Sequence, residues 1–133
     1  MPNGLGTLKV FLDTSLLTDR RLVELSDELV QGRLSGDEFY ISTLTHFQLL
    51  WGYMIAGRVA NKYTAFLEKV RVKVAPNTKL DAEEAARMKP TRSDLLDCLI
   101  ASTVKRYGAS IWTADKDFLK FLSQNEIRLL GGL

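Results

Sequence analysis

Short runs of β-branched and aromatic residues alternate along the chain with longer stretches whose apolar positions recur at helical spacing. Leu8 to Leu12 reads as a strand that ends at Asp13. From Thr18 to Leu34, the residues Leu22, Leu25, Leu29 and Val30 mark a helical stripe, and Gly32 and Gly36 its exit. Phe39 to Ile41 is a second strand. Thr43 or Thr45 can cap the next helix, which runs through Phe47, Leu50, Trp51 and Met54 and ends at Gly57. Asn61 to Val70 reads as a helix hairpinned on it. Val70 to Val74 alternates apolar and charged residues before Pro76, the pattern of an edge strand. Thr78 to Met88 is a short helix closed by Pro90, and Ser93 to Tyr107 is a strongly apolar helix stopped by Gly108. Ala109 to Thr113 is a fourth strand, Asp115 caps a helix from Lys116 to Leu122, and Ile127 to Leu130 is a last strand. This alternation predicts an α/β fold in three layers: a parallel sheet of four to five strands with helices on both faces. No repeat or linker interrupts it, so residues 1–133 are expected to form one domain.

Composition narrows the chemistry. Apolar residues make up 46% and charged residues 26%, an ordinary balance for a soluble globule. The one cysteine, Cys98, excludes an internal disulfide, and its apolar neighbours mark it as a small buried residue. The one histidine, His46, argues against a histidine-rich zinc site and leaves a Ser-His-Asp triad a single candidate base. A net charge of +2 neither demands nor excludes a nucleic-acid partner. Basic residues cluster at Arg20–Arg21, Arg58 to Lys62, Lys69 to Lys79 and Lys105–Arg106, where solvated helix faces are the simplest reading. No apolar run reaches the ~20 residues of a membrane span. Met1 to Gly4 does not open a signal peptide, so a cytoplasmic protein is expected.

The acidic residues fall at telling positions. In open parallel sheets, sites form beyond the carboxyl ends of the strands. Asp13 directly follows the first strand, and Asp115 follows the fourth by one residue with Asp117 close behind. Asp94 and Asp97 are expected in the first turn of the Ser93 helix, three residues apart on one face. Each also has an ordinary role open to it: helix capping for Asp115, dipole complementation for Asp94 and Asp97, a turn start for Asp13. Asp97 fits its ordinary role least, because apolar residues surround most of that helix and a buried carboxylate needs a partner. Several carboxylates together repel, and a hard dication relieves the repulsion. Oxygen-only ligands point to Mg²⁺ or Mn²⁺.

These segments resemble the motifs of PIN-domain nucleases. Val10-Phe11-Leu12-Asp13-Thr14-Ser15 is similar to the opening motif, and Ile41-Ser42 through Gln48-Leu49-Leu50-Trp51-Gly52 to the second. Asp97-Cys98-Leu99-Ile100-Ala101 is similar to the central helix motif, and Thr113-Ala114-Asp115-Lys116-Asp117-Phe118 to the closing one. Together, in order, they span essentially the whole chain. The resemblance implies a metal-dependent endoribonuclease, most often the VapC-like toxin of a VapBC-type toxin–antitoxin pair. It implies Asp13, Asp97 and Asp115 as catalytic metal ligands, Asp117 as an outer contributor, and Ser15 and Thr113 as supporting hydroxyls. It also implies a homodimer and a small antitoxin partner. Large apolar residues on adjacent helices, Trp51, Tyr53, Met54 and Phe66, agree with a dimer. The family usually carries glutamate where this chain has Gln48, which keeps an oxygen acceptor but loses the charge. Asp94 either compensates or caps its helix. Asp37 and Glu38 lie at the wrong end of the sheet, and His46 reads as a helix-surface residue rather than a ligand. A degenerate PIN domain that binds RNA or protein without cutting is the alternative reading. A phosphoacceptor domain lacks its acidic pair, and a Rossmann domain lacks its glycine-rich turn.

Overall fold

The structure, a computed structural model, describes residues 8–131. The Met1 to Gly4 segment lies outside them. Five strands form one wholly parallel sheet: β1 (Lys9–Leu12), β2 (Glu38–Ser42), β3 (Lys73–Ala75), β4 (Ser110–Thr113) and β5 (Ile127–Leu129). Between them run α1 (Asp19–Leu34), α2 (Thr43–Ile55), α3 (Asn61–Val70), α4 (Lys79–Arg87) and α5 (Leu95–Arg106). The spatial order is β3-β2-β1-β4-β5.

Side-chain alternation along the strands builds the two cores. Val10 and Leu12 of β1, Phe39 and Ile41 of β2, and Trp112 of β4 bury one face of the sheet with Leu22, Leu29, Tyr63, Phe66 and Val70 from α1 and α3. Phe11, Tyr40 and Ile111, the alternate positions, meet Ile100, Ala101 and Val104 of α5 on the other. This is the three-layer arrangement of parallel sheet and flanking helices expected, with five strands in the sheet.

Three local expectations shift. Val70, read as the start of an edge strand, is the buried last residue of α3. Arg71 then turns left-handed (φ 60°, ψ 49°), Val72 N–H bonds back to Leu67, and β3 starts only at Lys73. It is an edge strand, paired with β2 alone. The α2 cap is Ser42, whose hydroxyl accepts from Thr45 N–H. Lys116–Lys120 is a 3₁₀ turn rather than an α-helix. Among the described residues, no helix is long and apolar enough to cross a membrane.

An ion pair on buried Asp81 ties α4 to α5, the helix that carries Asp97. Asp81 accepts from Thr78 N–H at the start of α4 and from the Thr103 hydroxyl of α5 at 2.8 Å. Arg106 at the end of α5 donates to both its oxygens, at 2.8 and 3.1 Å, and to the Pro76 carbonyl. Burial alone would raise the Asp81 carboxyl, but Arg106, Thr103 and Thr78 outweigh it and hold the group below its ordinary range. Removing the cation leaves an uncompensated buried charge. Arg106→Leu is therefore expected to lower stability by about 3 kcal/mol in urea unfolding at neutral pH. An unchanged midpoint would deny the clip its role.

Candidate metal centre

The sheet order reverses between β1 and β4. The chain winds from β1 outward to β3, then crosses back to β4, so the carboxyl ends of β1 and β4 lie side by side at a topological switch point. Phe11 pairs with Ile111 and Leu12 with Trp112, and Asp13 N–H donates to the Trp112 carbonyl at 3.1 Å. The loop leaving β1 therefore meets the loop leaving β4.

A hydroxyl network orders this junction. Thr113 Oγ1 donates to Asp13 Oδ2 at 2.8 Å, as does Ser15 Oγ. Ser15 Oγ accepts from Ala114 N–H at 3.0 Å, and Thr113 Oγ1 accepts from Asp115 N–H at 2.9 Å. Asp13 is buried, with Oδ2 accepting from the two hydroxyls and from Ser15 N–H at 3.4 Å, and with a single long contact, from Thr14 Oγ1 at 3.5 Å, on Oδ1. Asp115 Oδ1 accepts from Asp117 N–H at 2.9 Å, which orients its carboxylate at the head of the 3₁₀ turn.

Against this junction, α5 brings up Asp97 in its first turn. Asp97, Asp115 and Asp117 each offer a carboxylate oxygen, and these three atoms lie within 4.8 Å of one another. At an effective dielectric near 20, two like charges about 5 Å apart repel by about 3 kcal/mol. The strain falls on Asp97. Burial, then the charges of Asp115 and Asp13, a hydrogen bond with Asp115 and the charge of Asp117 push its carboxyl up to about 7. The Asp97 carboxyl thus takes up a proton as the pH falls through about 7, and a cation beside it would favour the charged form instead. The donor set is hard oxygen, convergent and short of positive charge, which suits a hard dication such as Mg²⁺ or Mn²⁺.

The other candidates have partners or surroundings of their own. Asp94 does not share a helix face with Asp97, because a 3₁₀ turn, Arg92–Asp94, precedes α5. Its side chain folds back to accept from Thr91 N–H at 2.7 Å and pairs with Lys120 at 3.1 Å. Burial raises this carboxyl, and the Lys120 and Thr91 contacts more than offset it. Gln48 lines a groove with Leu17, Asp19, Leu49, Tyr53 and Arg58. His46 is not a free surface residue: its Nδ1 lies 2.6 Å from the hydroxyl of buried Tyr63. Arg58 and Arg106, from the basic clusters, are paired with Asp19 and Asp81. The residue sequence reasoning passed over is Lys120. Its one signal was the three-residue spacing from Asp117, which lets the two side chains meet on one turn.

A switch-point acidic centre on a β3-β2-β1-β4-β5 parallel sheet defines a class, and the comparisons agree with it. The PIN domain family model matches residues 10–121, and the chain belongs to the PIN domain family. No curated protein matches it in sequence. In fold it is similar to a chain of VapBC2 from Rickettsia felis, solved bound to a DNA fragment from their promoter (TM-score 0.66, 16% identity, 92% of this chain and 99% of that one). It is similar as well to a chain of VapBC-1 from nontypeable Haemophilus influenzae (TM-score 0.63, 16% identity, 92% and 98%). A third match is PAE2754 from Pyrobaculum aerophilum (TM-score 0.59, 21% identity, 92% and 85%).

Proposed function

We propose that this protein is a divalent-metal-dependent endoribonuclease of the VapC type, a toxin held in check by an antitoxin. The observation that carries the reading is the convergence of Asp97, Asp115 and Asp117 beside Asp13 at the sheet switch point. Asp97, Asp115 and Asp117 would hold Mg²⁺ or Mn²⁺ directly, and the lightly engaged Oδ1 of Asp13 would complete the set. Such an ion lowers the pKa of a bound water and neutralises charge on a phosphodiester under in-line attack. The chain's own residues do the rest. Ser15 and Thr113 hold Asp13 by one oxygen and fix the direction of the other. Asp117 N–H orients Asp115, and Asp97 would give up its proton to a bound dication. The open, half-exposed rim suits a polymer better than an enclosed pocket would.

Two of the solved structures similar in fold are VapBC structures, which supports an antitoxin partner. A homodimer draws support from α2. Trp51 is 57% exposed and Met54 81%, whereas Phe66 is buried and Tyr53 is occupied with Asp19. The second reading, a domain that binds RNA without cutting it, rests on Gln48 in the glutamate position.

Incubating purified protein with a labelled unstructured RNA separates the two readings. The active reading predicts cleavage with Mn²⁺ that EDTA stops and fresh Mn²⁺ restores. RNA that is bound but stays intact would favour the degenerate domain, and cleavage that survives EDTA would remove the metal from the account.

A further inference from the structure

Among the described residues, Lys120 is a cation paired at the rim of the carboxylate group to which the metal chemistry assigns no task. Lys120 ends the Lys116–Lys120 turn, which buried Phe118 anchors in the core. Its Nζ lies 3.1 Å from Asp94 Oδ2 and 3.7 Å from Asp117 Oδ1. Asp94 is itself 2% exposed, with Oδ1 tied to Thr91 N–H at 2.7 Å. A buried carboxylate held in this way fixes the ammonium that pairs with it. Lysine has three N–H donors. One goes to Asp94, and the 3.7 Å approach to Asp117 is a charge contact rather than a hydrogen bond. The Lys120 side chain remains 53% exposed, so donors stay open to solvent beside the acidic group.

A phosphodiester that approaches several carboxylates is repelled by them, and a fixed positive charge at the rim offsets that repulsion. We propose that Lys120, held in place by Asp94, binds an RNA backbone phosphate at the carboxylate group and so sets where the strand lies for cutting. The proposal rests on the ribonuclease reading. It also gives Asp94 its place: it anchors the phosphate ligand and does not replace a missing metal ligand.

The test compares wild type, Lys120→Met, Lys120→Arg and Asp94→Asn, with Lys116→Met as an exposed neighbouring control. Cleavage of a labelled single-stranded RNA is followed in Mn²⁺ over a range of NaCl, and Mn²⁺ binding is titrated separately. Loss of a charge-assisted phosphate contact should raise KM about tenfold in Lys120→Met. It should also reduce the dependence of log KM on log salt by about 0.7, the share of one phosphate on a single strand. Lys120→Arg should recover most of the loss, Asp94→Asn should show part of it, and Lys116→Met little. Mn²⁺ affinity should not fall in Lys120→Met, because removing a cation 3.7 Å from Asp117 favours the ion if it changes anything. Unchanged KM and salt slope in Lys120→Met would overturn the proposal. So would a KM effect matched by an equal loss of Mn²⁺ affinity or thermal stability, which marks a purely structural ion pair. Should wild type bind RNA without cutting it, the ribonuclease reading fails. Anisotropy of labelled RNA then decides Lys120 alone, with affinity about tenfold weaker in Lys120→Met expected and equal affinity overturning it.

Discussion

Asp97→Asn is expected to make the metal-free protein more stable and to abolish its ribonuclease activity. The Asp97 carboxyl is pushed from 3.8 up to about 7 by burial and by the charges of Asp115, Asp13 and Asp117. The folded state therefore binds more protons than the unfolded state between those values, and this group makes stability fall as pH rises from about 4 to about 7. A shift of about three units corresponds to at most ~4 kcal/mol, and partial solvent access reduces it to about 1–2 kcal/mol. Asparagine keeps the shape and lacks the charge, so at pH 8 in EDTA the variant should melt about 4–8 °C above wild type. Adding Mn²⁺ should reverse the order, since only wild type gains from binding. Cleavage should fall about a thousandfold, the equivalent of ~4 kcal/mol of lost charge stabilisation. A variant that is less stable than wild type in EDTA and still stabilised by Mn²⁺ would contradict this assignment.

The same proton makes metal binding pH-dependent. Below about 7 the ion competes with a proton on Asp97, so Mn²⁺ affinity should rise about tenfold per pH unit up to about 7 and level off above it. Affinity at pH 6 should be about tenfold weaker than at pH 8. Calorimetry in buffers of different ionisation heat should record close to one proton released per ion at pH 6 and none at pH 8. Affinity that stays flat between pH 5 and 8 would mean that Asp97 is not displaced by the ion.

The sequence was most informative where local pattern and tertiary role coincide. Val10, Phe11 and Leu12 alternate between two cores because both faces of β1 are covered, and a continuous apolar run says as much. Asp13 and Asp115 were legible because each lies at a strand end, and the sheet order needed only to bring β1 and β4 together. Elsewhere pattern and role diverged. Val70 reads as strand by its alternation with Arg71 and Lys73, yet its side chain completes the α3 face and left-handed Arg71 resets the register. Asp94 reads as a partner of Asp97 at helical spacing, but the 3₁₀ turn rotates it toward Thr91 and Lys120. The pairing of His46 with Tyr63 and of Arg106 with Asp81 joins residues 17 and 25 positions apart, which no local period encodes.

The central claim is that Asp97, Asp115 and Asp117 hold one dication beside Asp13. Anomalous diffraction from a crystal of the protein grown with Mn²⁺ tests it most directly. The account predicts one strong peak about 2.1 Å from an oxygen of each of those three carboxylates, with Asp13 Oδ1 turned toward it. A peak that lies on other residues, or none at saturating Mn²⁺, would contradict it.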